Sequence, residues 1–301
     1  MCGIMAILNK EKRANVPLLR MLLLDNESRG RDSTGVLCIN GTKDIYLKKA
    51  EPASEFIHKI PNKEYKLMLG HTRFATIGAV SDRNAHPFKR RGLYLVHNGS
   101  VTNHKELAAK SQIKYQVDSE VLLPIVLKDY HGLTEVEGSA AILAYNEKDN
   151  TLMAYRDVNP LYRVETPHFW AYSSKETALS FMEAFYTDFE LIKIKQGWAV
   201  FHDVATGDVI NEEHVGMMKA VNYSRNWKSD FWKKKEKDKV KAKVKEDTTE
   251  DGPFCEYCAW CQMPISYQQA DDSLLRRGVE ICQNCEALYS GTNYPVNQLL
   301  T

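Results

Sequence analysis

The chain has 301 residues, of which 44% are hydrophobic and 26% are charged, and its formal net charge is +1. A chain of this length and hydrophobic content can bury one sizeable core and carry a small extra module. The balanced charge gives no overall reason to expect binding to nucleic acid or to a membrane. The longest apolar run near the start, residues 18–24, is interrupted by Arg20 and is far too short to span a bilayer.

Three segments in the first two thirds of the chain are predicted to be helical. Residues 17–26 and 119–130 have apolar side chains at helical spacing. Pro17 suits the first turn of the first helix, and Asp118 is well placed to cap the second. A third helix is predicted for residues 177–185.

Strands are predicted between and after these helices. Two apolar runs at residues 140–145 and 152–155 are joined by turn residues and form a predicted hairpin. The other strand candidates are residues 65–69, 93–96, 169–172, 189–194 and 198–201. Hairpin connections favour an α+β fold, with mixed or antiparallel sheets and helices packed on them.

The composition changes after about residue 215, which indicates a linker. Residues 219–246 contain 11 Lys or Arg against 4 Asp or Glu, and residues 233–245 have too few apolar side chains to support a core. A solvated charged tether is one interpretation. The other is a basic surface that contacts an acidic partner or RNA, with the three aromatic residues Trp227, Phe231 and Trp232 as anchors.

The first residues can form a nucleophile that carries its own base. Methionine is normally removed before a side chain as small as cysteine, so Cys2 is expected to have a free α-amine. An α-amine titrates at ~8 and a thiol at ~8.5, so the amine can accept the thiol proton at neutral pH. Gly3 leaves space beside the reacting centre. Taken alone, the same start is also compatible with a buried structural cysteine.

Downstream segments supply the other groups that hydrolysis of a free amino-acid amide requires. Residues 29–35 have the Gly, Asp and Ser content of a tight loop. Residues 70–78 follow a predicted strand and contain Arg73, whose guanidinium can hold a carboxylate through two hydrogen bonds.

Two further segments suit the reacting amide and the charged end of a substrate. The side-chain amide of Asn98 and the N–H of Gly99 can converge on the oxygen of a tetrahedral intermediate. Asp118, at the start of a predicted helix, offers a carboxylate to a substrate ammonium group.

Together, these segments resemble the class II glutamine amidotransferases, a family of N-terminal nucleophile hydrolases. The matching motifs, in the order of that family, are Cys-Gly-Ile at 2–4, Arg-Gly-x-Asp-Ser-x-Gly at 29–35, Gly-His-Thr-Arg-x-Ala-Thr at 70–76, His-Asn-Gly at 97–99 and Asp-Ser-Glu at 118–120. Weaker similarity to amidophosphoribosyltransferase continues around residues 156–162 and 173–179, so the resemblance covers roughly residues 2–210.

The resemblance implies a four-layer αββα sandwich, with two antiparallel sheets between helices and the nucleophile at the start of a central strand. It assigns roles to matching positions: Cys2 as nucleophile, Asn98 and Gly99 as oxyanion hole, Arg73 and Thr76 as ligands of the glutamine carboxylate, and Asp118 as ligand of its ammonium group. Arg29 and Gly30 would lie beside the N-terminus, and His86 near the glutamine site.

The sequence departs from the family pattern at two positions and in its length. Phe74 replaces a frequent Trp or Tyr, and Ile77 replaces a frequent His, which affects the expected lining of the pocket. After residue 210 too little chain remains for a synthetase domain. We therefore expect ammonia to be delivered to a separate synthetase or acceptor-activating protein that acts in trans.

Five of the seven cysteines lie between residues 255 and 285, which indicates a metal site rather than a disulfide scaffold. Paired Cys-x2-Cys spacing predicts a structural zinc bound by Cys258, Cys261, Cys282 and Cys285, with Cys255 as an alternative ligand. An iron–sulfur cluster is the alternative metal centre. The module is either a structural staple or a docking site for a protein or nucleic acid, and no organic cofactor is expected.

Four segments are therefore predicted: an amidotransferase domain at 1–212, a Lys-rich linker at 213–253, a zinc-ribbon-like module at 254–290 and a tail at 291–301. The start of the chain has no secretory pattern and the cysteines suggest a reducing environment, so a cytoplasmic location is expected. The expected activity is hydrolysis of glutamine to glutamate and ammonia. The rivals are hydrolysis of another amide by the same nucleophile and an inactive zinc-ribbon adaptor.

Overall fold

A computed structural model of the chain describes residues 2–184, 186 and 189–220, together with the backbone of 256–257 and 264–265. The chain divides into two compact units, and the first of them includes residues 1–219. The first unit contains two large antiparallel sheets and all the helices described below.

The first sheet has seven strands and includes the start of the chain. Its strands are β1 (Gly3–Arg13), β2 (Ser33–Ile39), β3 (Ile45–Lys49), β4 (Tyr65–Arg73), β9 (Tyr162–Glu165), β10 (Phe169–Ser173) and β11 (Leu191–Lys193). Their order across the sheet is β11-β9-β10-β1-β4-β2-β3, so β1 lies at the centre, between β10 and β4. Every pair of neighbours is antiparallel.

The second sheet has six strands and is also antiparallel throughout. Its strands are β5 (Phe88–Arg90), β6 (Leu93–Val101), β7 (Gly138–Asn146), β8 (Thr151–Arg156), β12 (Trp198–Asp203) and β13 (Val209–His214). Their order is β13-β12-β8-β7-β6-β5, which places β5 at an edge. The predicted hairpin at 140–155 is present as β7 and β8.

Short helices connect the strands. The α-helices are α1 (Val16–Glu27), α2 (Ala53–Phe56), α3 (His104–Lys110), α4 (Leu122–Lys128) and α5 (Thr177–Ser180). The 3-10 helices are Ile57–Lys59, Asp118–Val121, Tyr130–Glu135 and Phe181–Ala184. Pro17 lies in the first turn of α1, as predicted, where its missing N–H leaves no intrahelical bond unmade.

Three apolar layers hold the unit together, and β1 shows how the sequence builds them. Side chains alternate across a strand, so Met5 and Ile7 join the cluster that contains α1, α2 and α5. Ile4, Ala6 and Leu8 point to the other side, into the cluster between the two sheets. A third cluster packs α3 and α4 on the outer face of the second sheet. The order helix, sheet, sheet, helix confirms the α+β sandwich that the resemblance implied.

Some predicted element boundaries were wrong. The predicted helix at 119–130 is split into a 3-10 helix, α4 and a second 3-10 helix, because Asp129 is extended and its side chain accepts from the N–H of His131 instead of continuing the helix. Asp118 does not cap a helix, since it lies inside the first of these 3-10 turns. The loop at 29–35 is also shorter than predicted, because β2 starts at Ser33.

The second unit is described only at two short strands. Strand β14 (Glu256–Tyr257) pairs antiparallel with β15 (Pro264–Ile265). The five clustered cysteines and most of the basic linker lie outside the described residues, so the zinc site and the predicted segment boundaries stay predictions. Among the helices that are described, none has the length and apolar character needed to cross a membrane.

Candidate active site

Cys2 immediately precedes the central strand of the first sheet. Gly3 pairs with Thr72 of β4, and this antiparallel register places Cys2 opposite Arg73, next to Phe74. The N–H of Phe74 donates to the Cys2 Sγ at 3.4 Å. A Cβ on Gly3 would lie 2.5 Å from the Thr72 Oγ1, so glycine is required here by close packing. The register of two neighbouring strands therefore fixes the position of the thiol.

The loop before β2 holds the first residues in place. The Arg29 Nε donates to the Cys2 carbonyl at 3.0 Å, and the same guanidinium donates to the Ser174 carbonyl at 2.8 Å. Gly30 lies so close to the backbone of Arg73 that an added Cβ would be 2.3 Å from its carbonyl carbon. Arg29 thus contacts the chain start, and Gly30 packs against the end of β4.

Arg73 organises the loop that follows β4. Its guanidinium donates to the carbonyls of Ile77, at 2.6 Å, and Ala79, at 3.2 Å, and the side chain is only 2% exposed. Thr76 lies on the exposed part of the same loop. A guanidinium has five N–H donors, so these carbonyl bonds leave donors for a carboxylate.

Asn98 is supplied by the second sheet. It lies inside β6, which extends beyond the strand predicted at 93–96, and it is fully buried. Its side-chain Nδ2 and Oδ1 have no hydrogen-bond partner among the described residues. Buried polar groups are normally paired, and each unpaired one costs about 1–3 kcal/mol. An amide left in this state is ready to bond to an incoming ligand.

Gly99 has a conformation that only glycine adopts without strain. Its φ is +154°, and a Cβ would lie 1.9 Å from the Ser139 carbonyl oxygen of the neighbouring strand. Asp118 is close by: its Oδ2 accepts from the N–H of Val101 at 2.9 Å, two residues along β6. This bond, rather than helix capping, explains why Asp118 is buried at the site.

His71 contacts two other buried histidines, His86 and His97. The His71 Nε2 is 3.1 Å from the His97 carbonyl oxygen, a contact that joins β4 of the first sheet to β6 of the second. The His86 ring stacks on His71 at a centroid distance of 3.9 Å, and neither ring nitrogen of His86 has a partner among the described residues. Burial lowers the pKa of His71 to about 3 and lowers that of His86 well below its usual value. Both rings are therefore neutral at pH 7.

His71 and His97 received no role from the sequence. Both occur inside the quoted motifs, but 26 residues separate them. His97 also contacts the Ser119 Oγ through its Nδ1, at 2.9 Å. Their positions in the motifs at 70–76 and 97–99 could have identified them, because other residues of both motifs were given roles.

The electrostatics of Cys2 favour a protonated thiol in the free protein. Burial raises the pKa of Cys2, while the N–H of Phe74 and the charge of Arg73 act in the opposite direction. Asp118 adds to the increase in the Cys2 pKa. The thiolate is the reactive form of cysteine, so this site needs a base to remove the proton.

No group of three His, Cys, Asp or Glu side chains able to hold a metal occurs among the described residues. The candidate site contains a thiol, a buried guanidinium, a buried carboxylate and a buried amide that has no partner among the described residues. Such a set can hold a molecule with both a carboxylate and an ammonium group and present a third group to the sulfur.

A cysteine before the central strand of an αββα sandwich defines the class of N-terminal nucleophile hydrolases. Two solved structures share this fold. The glutamine phosphoribosylpyrophosphate amidotransferase of B. subtilis matches with a TM-score of 0.57 and 20% identity, over 72% of this chain and 50% of that chain. A structure described as the allosteric regulatory enzyme of purine biosynthesis matches with a TM-score of 0.59 and 20% identity, over the same shares.

The glutamine amidotransferase domain family matches residues 58–232, more than half of the chain, and the chain belongs to this family. It is an enzyme of the class II glutamine amidotransferase type. The glutamine–fructose-6-phosphate aminotransferase of Aquifex aeolicus is 35% identical over 141 residues, 44% of this chain and 24% of the relative. That of Sulfurisphaera tokodaii is 30% identical over 184 residues, 54% of this chain and 31% of the relative. The chain thus spans less than a third of these relatives.

Proposed function

We propose that the chain hydrolyses glutamine to glutamate and ammonia through a thioester on Cys2. The observations that support this most are a thiol immediately before the central strand and a buried Asn98 amide that has no hydrogen-bond partner among the described residues. Membership in the glutamine amidotransferase family supports glutamine as the amide.

In the first half of the reaction, the α-amine of Cys2 takes the thiol proton and the sulfur attacks the side-chain carbonyl carbon of glutamine. The Asn98 amide and the Gly99 N–H donate to the oxygen that becomes negative, an interaction worth about 100-fold to 1000-fold in rate per donor. The amine then returns the proton to the leaving nitrogen, and ammonia departs. A glutamyl thioester remains on Cys2.

In the second half, water attacks the thioester carbonyl while the same amine accepts a proton from the water. The carbon–sulfur bond breaks, the sulfur is reprotonated and glutamate leaves. Arg73 and Thr76 hold the α-carboxylate of the substrate, and Asp118 holds its ammonium group. These two opposite charges disfavour the rival, an amide without a free amino-acid head group.

We propose that the ammonia passes to a separate synthetase or acceptor-activating protein, and that the protein works in the cytoplasm. We further propose that Cys258, Cys261, Cys282 and Cys285 bind a structural zinc. The Lys-rich linker and the zinc module would contact that partner or a nucleic acid. The paired cysteine spacing and the excess of Lys and Arg in the sequence support these proposals.

The nucleophile is tested by measuring glutamate release together with intact mass after exposure to a glutamine-analogue electrophile. We expect loss of Met1, a single label on Cys2, and no glutamate release from Cys2→Ala or Cys2→Ser. Cys38→Ala is the matched control, because Cys38 is fully buried in the first sheet and should leave turnover unchanged. Normal turnover in a Cys2 variant would contradict the assignment.

The base is tested separately by a form of the protein that retains Met1. In that form the nitrogen of Cys2 belongs to an amide and cannot accept a proton, although the thiol is intact. We expect no turnover. Full activity with Met1 in place would rule out the α-amine as base. A wild-type chain that folds and binds zinc, but neither labels nor releases glutamate, would favour the inactive adaptor.

A further inference from the structure

A cavity of about 700 Å³ lies on the outer side of the second sheet, and none of its lining residues belongs to the candidate active site. It is bounded by helices α3 and α4, by the 3-10 helix Tyr130–Glu135 and by the turn between β5 and β6. Its volume falls within the range of pockets that hold small molecules. Leu107, Ile125 and Leu127 give it an apolar part.

Both acidic residues that line this cavity are paired with cations, but several of its cations have no acidic partner. Asp129 is bonded to His131 at 3.0 Å, and Glu135 is 3.7 Å from Lys110. The side chains of the other three cations of the lining, Arg90, Arg91 and Lys128, form no hydrogen bond or ion pair with the part of the chain that the structure describes. The β5–β6 hairpin and α4 therefore bring unpaired positive charge to one concave surface.

The backbone of the turn gives an independent indication of function. Arg91 has φ +47° and Gly92 has φ +83°, so the β5–β6 hairpin places an arginine where the chain requires a left-handed residue. Such positions favour Asn, Asp and Gly. Residues held in disfavoured backbone regions are concentrated at functional sites. Here the strained residue is also a cation that lines the cavity.

We propose that this cavity binds a small polyanion, a phosphorylated metabolite, through Arg90, Arg91 and Lys128. Arginine guanidinium groups bind phosphate oxygens in pairs, and the lysine adds a point charge. The apolar side chains would cover the carbon part of the ligand. This site is separate from the Cys2 chemistry and does not depend on it.

The lysine-rich linker can also attract polyanions, so the test must report on individual residues. The full chain is treated with the arginine reagent phenylglyoxal, with and without inorganic tripolyphosphate, and the modified peptides are quantified by mass spectrometry. We expect tripolyphosphate to protect Arg90 and Arg91 and to leave Arg83 reactive. Arg83 is exposed and lies outside the cavity, so it serves as the control. Equal modification of all three arginines in both conditions would overturn the proposal.

Arg91→Asn separates binding from folding. Asparagine tolerates the left-handed conformation of the turn, so this variant should be at least as stable as the wild type. We expect calorimetric titration with tripolyphosphate to show an affinity lowered about tenfold or more, whereas Lys63→Gln, an exposed charge removed elsewhere, should change it less than twofold. Equal affinities for the wild type and Arg91→Asn, or equal losses in both variants, would show that binding occurs elsewhere and refute the site.

Discussion

The substitution Asn98→Ala should separate activity from stability. The Asn98 side chain is fully buried, and neither of its polar atoms has a partner among the described residues. Two unpaired buried atoms cost at least about 2 kcal/mol in the folded state. Removing three heavy atoms from a packed position costs about 1–2 kcal/mol. The two effects nearly cancel, so we expect the free energy of unfolding to stay the same or rise by about 1 kcal/mol.

The same substitution should greatly reduce turnover. If the Asn98 amide donates to the oxygen of the tetrahedral intermediate, its loss should lower kcat by about 100-fold to 1000-fold, equivalent to roughly 2.7–4 kcal/mol. The KM for glutamine should change little, because the donor acts mainly on the transition state. The expected result is a variant that is equally or more stable and nearly inactive.

Glutamate release at saturating glutamine gives kcat, and urea unfolding gives the stability. Asn9→Ala is the matched control: Asn9 is equally buried, but its Nδ2 donates to the Tyr65 carbonyl at 2.8 Å and its Oδ1 accepts from Asn15 at 2.7 Å. We expect Asn9→Ala to lose about 2 kcal/mol or more and to keep its kcat. A loss of stability in Asn98→Ala as large as in the control, or an unchanged kcat, would refute the reasoning.

Three further predictions concern neighbouring groups. Gly99→Ala should destabilise the fold by at least about 2 kcal/mol in thermal unfolding, because its φ is +154° and the new Cβ would meet the Ser139 carbonyl at 1.9 Å; a normal Tm would contradict this. Asp118→Asn keeps an acceptor for the Val101 N–H but loses the negative charge, so the KM for glutamine should rise about tenfold or more. Because Asp118 raises the Cys2 pKa, the pH dependence of thiol alkylation should shift to lower pH in this variant. The pKa of His71 is about 3 in the folded state and about 6.5 in the unfolded state. Its neutral form therefore contributes fully to stability above pH 6.5. As the pH falls from 6.5 towards 3, the free energy of unfolding should decrease by about 1.4 kcal/mol per pH unit. His71→Gln should reduce that slope in urea titrations at pH 7, 6 and 5, and an unchanged slope would show that another group is responsible.

Local sequence patterns were sufficient for much of the fold. The apolar runs predicted the centres of β4, β6, β7 and β8, because these strands are long and buried. They did not predict β2, although all seven of its residues are buried. Turn-forming residues at 29–35 suggested a loop, but the pairing of Ser33 with Arg73 starts a strand there. Pairing over 40 residues is not visible in a local pattern.

The candidate site was likewise only partly predictable from the sequence. The sequence named Cys2, Arg73, Asn98 and Asp118 through their motifs. The fold places Cys2 and Arg73 at the ends of two paired strands of the first sheet, β1 and β4, and Asn98 inside β6 of the second. It could not show that the Arg73 guanidinium binds the carbonyls of its own loop, since that depends on how residues 77–79 turn back. Nor could it show that Asp118 accepts from Val101 instead of capping a helix. Both facts arise from backbone groups, which a residue pattern does not specify.

Cys2 and Asn98, which we propose act on the same amide, belong to different sheets, so residues far from the proposed site can affect it. Cys2 precedes a strand of one sheet and Asn98 lies in the other. The apolar layer between the two sheets therefore sets the distance between these two residues. That layer includes small side chains such as Ala6 and Ala141, both fully buried. Packed sheets lie about 10 Å apart, and a misplacement of about 1 Å can lower a rate about 100-fold. For the proposed reaction, the thickness of the core would therefore influence the rate through side chains that do not belong to the site.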